Sequence, residues 1–209
     1  MLYNILDDNR KGLLPLLAPF KQQYYLAGGT GLALQIGHRK SEDFDFFTSE
    51  TFSTADLFSK LQKYLAEHAL IKIQDEENTL TVIVDDLIKV SFFTYLYPLL
   101  EPLIEEEYLK IASITDIGCM KLSAVVSRST MRDYVDLYCI LQKVSLKELL
   151  EKSKQKHPTL DTNLTLKSLI YFDDVIEEPI EFLPNHAVSF DNVQTFLTHE
   201  VKKYFELTL

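Results

Sequence analysis

The sequence predicts an α+β fold: a small mixed β-sheet of four or five strands with flanking helices, followed by a C-terminal helical region. Three observations carry this. Period-two apolar alternation, the mark of a half-buried strand, is confined to the first half and ends at Thr94. From Ser113 onward the apolar period is helical. Between the first two strands, Gly28-Gly29 interrupts an apolar run and a short apolar helix follows, which is how a strand is joined to a packed helix.

Taken in order, residues 3–20 read as an amphipathic helix that starts near Asp7 and Asp8 and tolerates or kinks at Pro15. A strand at Gln23 to Ala27 follows. Thr30 is the expected N-cap of the helix running to about Gly37, and a second strand covers Asp43 to Thr48. Ser53, with Asp56 three residues on, opens a helix to about His68 whose inner side carries Leu57, Leu61, Phe58 and Leu65. Leu70 to Ile73, Leu80 to Val84 and Leu87 to Thr94 read as strands, the last two joined by a tight turn at Asp85-Asp86. Helices are then expected at Asp116 to Arg128, Met131 to Lys143, from a capping box at Ser145 and Glu148, Leu164 to Tyr171, and Phe190 to Phe205. The acidic stretch FDDVIEEPIEFLP, residues 172–184, reads as a surface crossing.

At 209 residues the chain buries a substantial core without staples. Cys119 and Cys139 both fall in apolar helical segments, which predicts reduced thiols in a cytoplasmic protein. The N-terminus lacks the basic start and apolar run of a signal peptide, and no stretch stays uncharged long enough to cross a bilayer, so no membrane association is expected. The net charge of -10 opposes broad binding to duplex DNA, which needs a positive footprint to displace counterions. Lys143, Lys147, Lys152, Lys154 and Lys156 cluster, and are read as a solvated helix face in preference to a contact with a phosphate backbone.

The chemistry concentrates in LAGGTGLALQIGHRKSEDFDFFT, residues 26–48. Side chains alternate along a strand, so Asp43 and Asp45 project from one face while Phe44 and Phe46 go to the other. Two converging carboxylates suit a hard divalent cation, Mg2+ or Mn2+, which prefers oxygen ligands and keeps positions open for phosphate oxygens. Without side chains, Gly28 and Gly29 let backbone N–H groups and a helix N-terminus approach a triphosphate, with the Thr30 hydroxyl as a further donor. Arg39 and Ser41 add charge and hydrogen bonding for the same phosphates. His38 beside them reads as a phosphate-side donor or a surface residue rather than a metal ligand.

In the second half, Lys121, Val125 and Arg128 share one helix face, and Asp133 and Asp136 share a face of the next. These charges read either as inter-helix salt bridges from Arg128 or Arg132, Arg132 with Asp136 for instance, or as site residues. Lys121 stands alone in the apolar run IGCMKLSAVV, which predicts a buried head group aimed at phosphates.

Gly-Gly followed after thirteen intervening residues by Asp-x-Asp resembles the polymerase-beta-like nucleotidyltransferase superfamily. More narrowly, GGT-x-LA, then HRKSEDFDFF, then Asp116, Lys121, Arg128, Arg132-Asp133 and Asp136-Leu137-Tyr138 resemble the AbiEii/AbiGii toxin family of phage defence and toxin–antitoxin pairs, over roughly residues 20–142. The resemblance implies a nucleotidyltransferase core over residues 1–110 and a helical region over 111–209 that closes the cleft. It implies metal-dependent transfer of a nucleoside monophosphate from an NTP to an RNA acceptor, tRNA in particular, or to a protein, with a cognate antitoxin. Asp43 and Asp45 would hold the metal, Lys121 would neutralise transition-state charge, and Asp133 is the candidate base or orienting group. Two other readings are an aminoglycoside-type small-molecule nucleotidyltransferase and a nucleotide-binding regulatory protein with little turnover. The second draws on a departure: in the strand IKVSFF, Ser91 stands where the superfamily carries a third carboxylate, and serine neither accepts a proton at neutral pH nor holds a second cation firmly.

Other chemistries lack support. The five histidines form no HExxH or His–Cys cluster, and no GxSxG or Walker loop occurs. The aromatic residues fall at core spacing and read as packing, not as a base-stacking platform.

Overall fold

The computed structural model describes residues 1–208. One unit consists of Met1–Pro98 and Pro102–Ser113, and the other of Leu99–Glu101 with the chain from Ile114 onward.

The first unit opens not with one helix but with three pieces: a 3-10 turn at Tyr3–Ile5, α1 at Asp8–Leu17, and a second 3-10 segment at Ala18–Gln22. The break has a local cause, because the Asp7 side chain accepts from the Arg10 backbone N–H and starts a new helix there. Pro15 lies inside α1. The chain then enters β1 (Tyr25–Leu26), α2 (Gly28–Ile36), β2 (Phe44–Thr48) and α3 (Thr54–Tyr64). α3 is capped by Ser53, whose hydroxyl accepts from Asp56, and ends four residues before His68. The strands β3 (Leu70–Glu76), β4 (Thr79–Val84) and β5 (Ile88–Thr94) form a meander. Its second turn, residues 85–87, holds Asp85 and Asp86 at φ 52° and 56°, left-handed values that aspartate adopts more readily than most residues.

Two short strands that the sequence pattern does not signal, β6 (Ile104–Glu105) and β7 (Lys110–Ile111), extend the sheet to seven strands in the order β3-β4-β5-β2-β1-β7-β6. A two-residue strand is too short to display a period, so the expected four or five strands become seven. β2 runs parallel to β5, and β1 parallel to β7, with the remaining neighbours antiparallel. Phe44, Phe46 and Phe92 are buried on one face of the sheet, with Phe46 and Phe92 stacked at 5.2 Å and Tyr24 edge-on to Phe92 at 5.0 Å. Burial of this face fixes the register of β2 and therefore turns the aspartates to the other side.

The second unit contains α4 (Ile114–Ser127), α5 (Met131–Leu141), α6 (Leu146–Lys156), α7 (Thr162–Leu169) and α8 (Phe190–Thr208). α4 packs against α5, α6 and α7, and α8 covers α5, α6 and α7. Close approach is permitted by Gly118, where a Cβ would stand 2.9 Å from Leu149 Cδ1 and 3.2 Å from Ile140 Cγ2. Ser145 caps α6 as expected, accepting from Glu148. Lys156, assigned above to a solvated face, is instead fully buried, and its ammonium lies 2.7 Å from Asp116 Oδ1. Asp116 also accepts from the backbone N–H groups of Leu100 and Glu101, which ties the short returning segment to α4. Cys119 is buried and Cys139 half-buried, and neither is in a disulfide. Among the described residues no helix is long and apolar enough to cross a membrane.

Candidate active site

In the first unit, the site is built where β1 hands over to α2. Gly28 adopts φ 61°, which lets the chain leave the strand and start the helix at once, with Ala27 at the cap position. Thr30 is therefore inside α2 rather than its cap, and its buried hydroxyl has another use. It donates to the Asp43 carbonyl and lies 2.7 Å from the Ser41 hydroxyl. Thr30 and Ser41 thus pin the turn that leads into β2 and fix where Asp43 emerges. Arg10 secures the same turn from α1, with Nε donating to the Glu42 carbonyl at 2.7 Å. Nothing in local sequence marks Arg10, because its partner is 32 residues away.

Gly29 faces Arg39. A Cβ there would collide with the Arg39 guanidinium and come within 3.4 Å of Ser41 Oγ. A Cβ at Gly28 would stand 2.9 Å from Asp45 Oδ2. The missing side chains leave a cradle at the N-terminus of α2, bounded by the Asp45 carboxylate on one side and the Arg39 guanidinium on the other. Arg39, at 4% exposure, also donates to the Lys40 carbonyl at 3.1 Å. His38 is buried as well, so it is not the surface residue that was one of its two expected roles.

Asp43 and Asp45 are half-buried and project from the same face of the sheet, opposite Phe44 and Phe46. In the parallel pairing, Asp45 stands beside Ser91, whose hydroxyl accepts from Thr81 at 3.3 Å on the next strand. The Lys89 ammonium lies 2.6 Å from Asp43 Oδ2. Among the described residues no group of three or more His, Cys, Asp and Glu side chains is set to hold a metal. The donor set is two adjacent, solvent-reachable carboxylates, which fits a hard divalent cation whose remaining ligands are phosphate oxygens and water.

The second unit gathers its own charged cluster. Lys121 is buried as expected, but its ammonium meets carboxylates, 2.7 Å from Asp133 Oδ1 and 2.5 Å from Asp136 Oδ2. Asp133 further accepts from Arg128 Nε and from the Thr130 hydroxyl, each at 2.9 Å. Burial acts to raise the Asp133 carboxyl, yet Lys121 and Arg128 outweigh it and hold the group below the usual carboxylate range. Asp133 is thus held between Lys121 and Arg128 within the second unit. The salt bridge expected from Arg128 or Arg132 to these aspartates is made by Arg128, to Asp133, while Arg132 turns to Glu178, 3.9 Å away, and to the Pro179 carbonyl. Lys121 takes Asp136 because it sits on the buried face of α4.

The family described as "Nucleotidyl transferase AbiEii toxin, Type IV TA system" matches residues 15–199. An uncharacterised protein of Aquifex aeolicus, aq_aa25, is 38% identical over 189 residues, covering 88% of each chain. The fold is similar to that of MenT4, the nucleotidyltransferase toxin Rv2826c of Mycobacterium tuberculosis (TM-score 0.60, 16% identity, 93% of this chain and 85% of that one). It is also similar to JHP933 of Helicobacter pylori (TM-score 0.59, 18% identity, 97% and 96%).

Proposed function

The chain belongs to the AbiEii family of nucleotidyltransferase toxins of type IV toxin–antitoxin systems, and from that premise we propose that it transfers a nucleoside monophosphate from an NTP to a tRNA or protein acceptor with Asp43 and Asp45 as metal ligands. The observation that carries this reading is the placement of both carboxylates on one sheet face beside the side-chain-free N-terminus of α2.

The cradle of Gly28 and Gly29 offers backbone N–H groups to the triphosphate, and Arg39 adds a fixed positive charge at its edge. Thr30 and Ser41 act one step back, by holding the turn that aims Asp43. Asp43 and Asp45 would hold a divalent ion, Mg2+ or Mn2+, which would supply Lewis-acid polarisation of the phosphates. The acceptor hydroxyl attacks the α-phosphorus and gives up its proton to solvent, the bond from that phosphorus to the α–β bridging oxygen breaks, and pyrophosphate leaves. Catalysis is then positioning and charge neutralisation, since phosphoryl transfer asks little covalent chemistry of a protein. A cognate antitoxin restrains the activity in this reading.

Ser91 in place of a third carboxylate favours a second reading, a nucleotide-binding regulator with little turnover. Calorimetric titration of NTP with and without Mg2+ tests the metal site. Asp43→Asn and Asp45→Asn are expected to lose the Mg2+-dependent part of binding, at least tenfold, with melting temperature nearly unchanged. Unaltered affinity in both variants removes the metal assignment. Labelled-nucleotide transfer to tRNA and to protein separates enzyme from regulator.

A further inference from the structure

The sheet face that bears Asp43 and Asp45 also bears a cation the chemistry above does not use. Lys89 lies two residues before Ser91 on β5, so alternation places it on the face that Ser91 shares with Asp45. Its ammonium is 2.6 Å from Asp43 Oδ2, and the two side chains are 39% and 37% exposed. A pair this open adds little to stability, so structural need does not account for a lysine held against a metal-binding carboxylate. Ser91 itself is buried, uncharged and already engaged by the Thr81 hydroxyl. Divalent cations draw their affinity from carboxylate charge, and two carboxylates balance one such ion. A neutral serine does not recruit a second, least of all beside a resident ammonium.

We propose that Lys89 stands in for a second divalent ion: the site binds one metal per chain, and Lys89 moves from Asp43 to the triphosphate as metal and nucleotide arrive. The proposal rests on the metal–nucleotide reading of Asp43 and Asp45. In the free protein, Lys89 offsets the repulsion between the two carboxylates. Once Asp43 is given over to the cation, the ammonium is released beside the site, where a strongly hydrated point charge on a flexible stem suits a phosphate oxygen.

Mn2+ is counted by electron paramagnetic resonance in the presence of a non-hydrolysable NTP analogue, alongside nucleotide transfer. Wild type and Lys89→Arg are expected to bind one Mn2+ per chain. Lys89→Ala is expected to keep one Mn2+ but to transfer at least tenfold more slowly. Lys89→Ala combined with Ser91→Asp is expected to bind two and to regain at least tenfold over Lys89→Ala. Two Mn2+ in wild type, undiminished transfer in Lys89→Ala, or a single Mn2+ in the double variant overturns the proposal and leaves the metal site standing. No Mn2+ in wild type, or equal binding by Asp43→Asn, removes the metal site and the proposal together.

Discussion

Lys121→Ala is the perturbation with the largest expected effect on the helical unit, and its size follows from what the ammonium neutralises. The change leaves Asp133 at 1% side-chain exposure and Asp136 at 0% without the cation that sits within 2.7 Å of both. Removing one member of a buried ion pair costs about 3–5 kcal/mol, because the remaining charge is desolvated and uncompensated. Asp133 retains Arg128 and Thr130, so the lower end applies. At about 2–4 °C per kcal/mol for a chain of this size, a loss of about 3 kcal/mol lowers the melting temperature by roughly 6–12 °C. The pH dependence identifies the cause. In the native protein the folded Asp133 value lies below its ordinary 3.8, so the stability it contributes is present above that value and lost only as pH falls through the lower, folded one. In the variant Asp133 keeps Arg128 but loses the Lys121 charge that opposes its burial, so its carboxyl rises from the native value and the gap to wild type narrows as pH falls from about 7 toward the ordinary carboxylate range. Thermal unfolding of both proteins across that range is the assay, with transfer measured well below both melting temperatures. A variant within about 1 kcal/mol of wild type, or a gap that does not change with pH, refutes the reasoning.

Two further predictions use other features of the molecule. Burial, and secondarily the Lys156 ammonium, lower His157 from 6.5 to about 4, so only the unfolded chain takes up a proton between these values and stability declines as pH drops through that window. The loss between pH 6.5 and 5 is about 2 kcal/mol, read from urea midpoints, and His157→Gln is expected to flatten it; identical slopes contradict the assignment. In the first unit, Gly29→Ala forces the Arg39 guanidinium, the far end of a flexible side chain, out of its place at the cradle, and is expected to weaken NTP binding at least tenfold with melting temperature nearly unchanged. Calorimetry showing wild-type affinity would mean that the cradle at the start of α2 does not receive the triphosphate.

Wherever the cause of a feature is local, the sequence was sufficient. The Ser53 and Ser145 caps, the left-handed Asp85-Asp86 turn and the shared face of Asp43 and Asp45 each depend on residues within four positions of one another. Alternation forces the phenylalanines of DFDFF into the core and the aspartates out, whatever the rest of the chain does. Features joining distant segments were decided by tertiary structure. Lys156 reads as one more surface lysine until Asp116, 40 residues earlier, is packed against it, and the carboxylate that the fold buries is what allows the ammonium to be buried too. Thr30 reads as a cap until Gly28 starts the helix early and the turn at Ser41 and Asp43 claims its hydroxyl. β6 and β7 exist because Leu26 provides an edge for Ile111, a pairing that no local period encodes. Lys89 meets Asp43 only through the parallel register of β2 and β5, and parallel strands are brought together by the intervening chain, not by their own sequences.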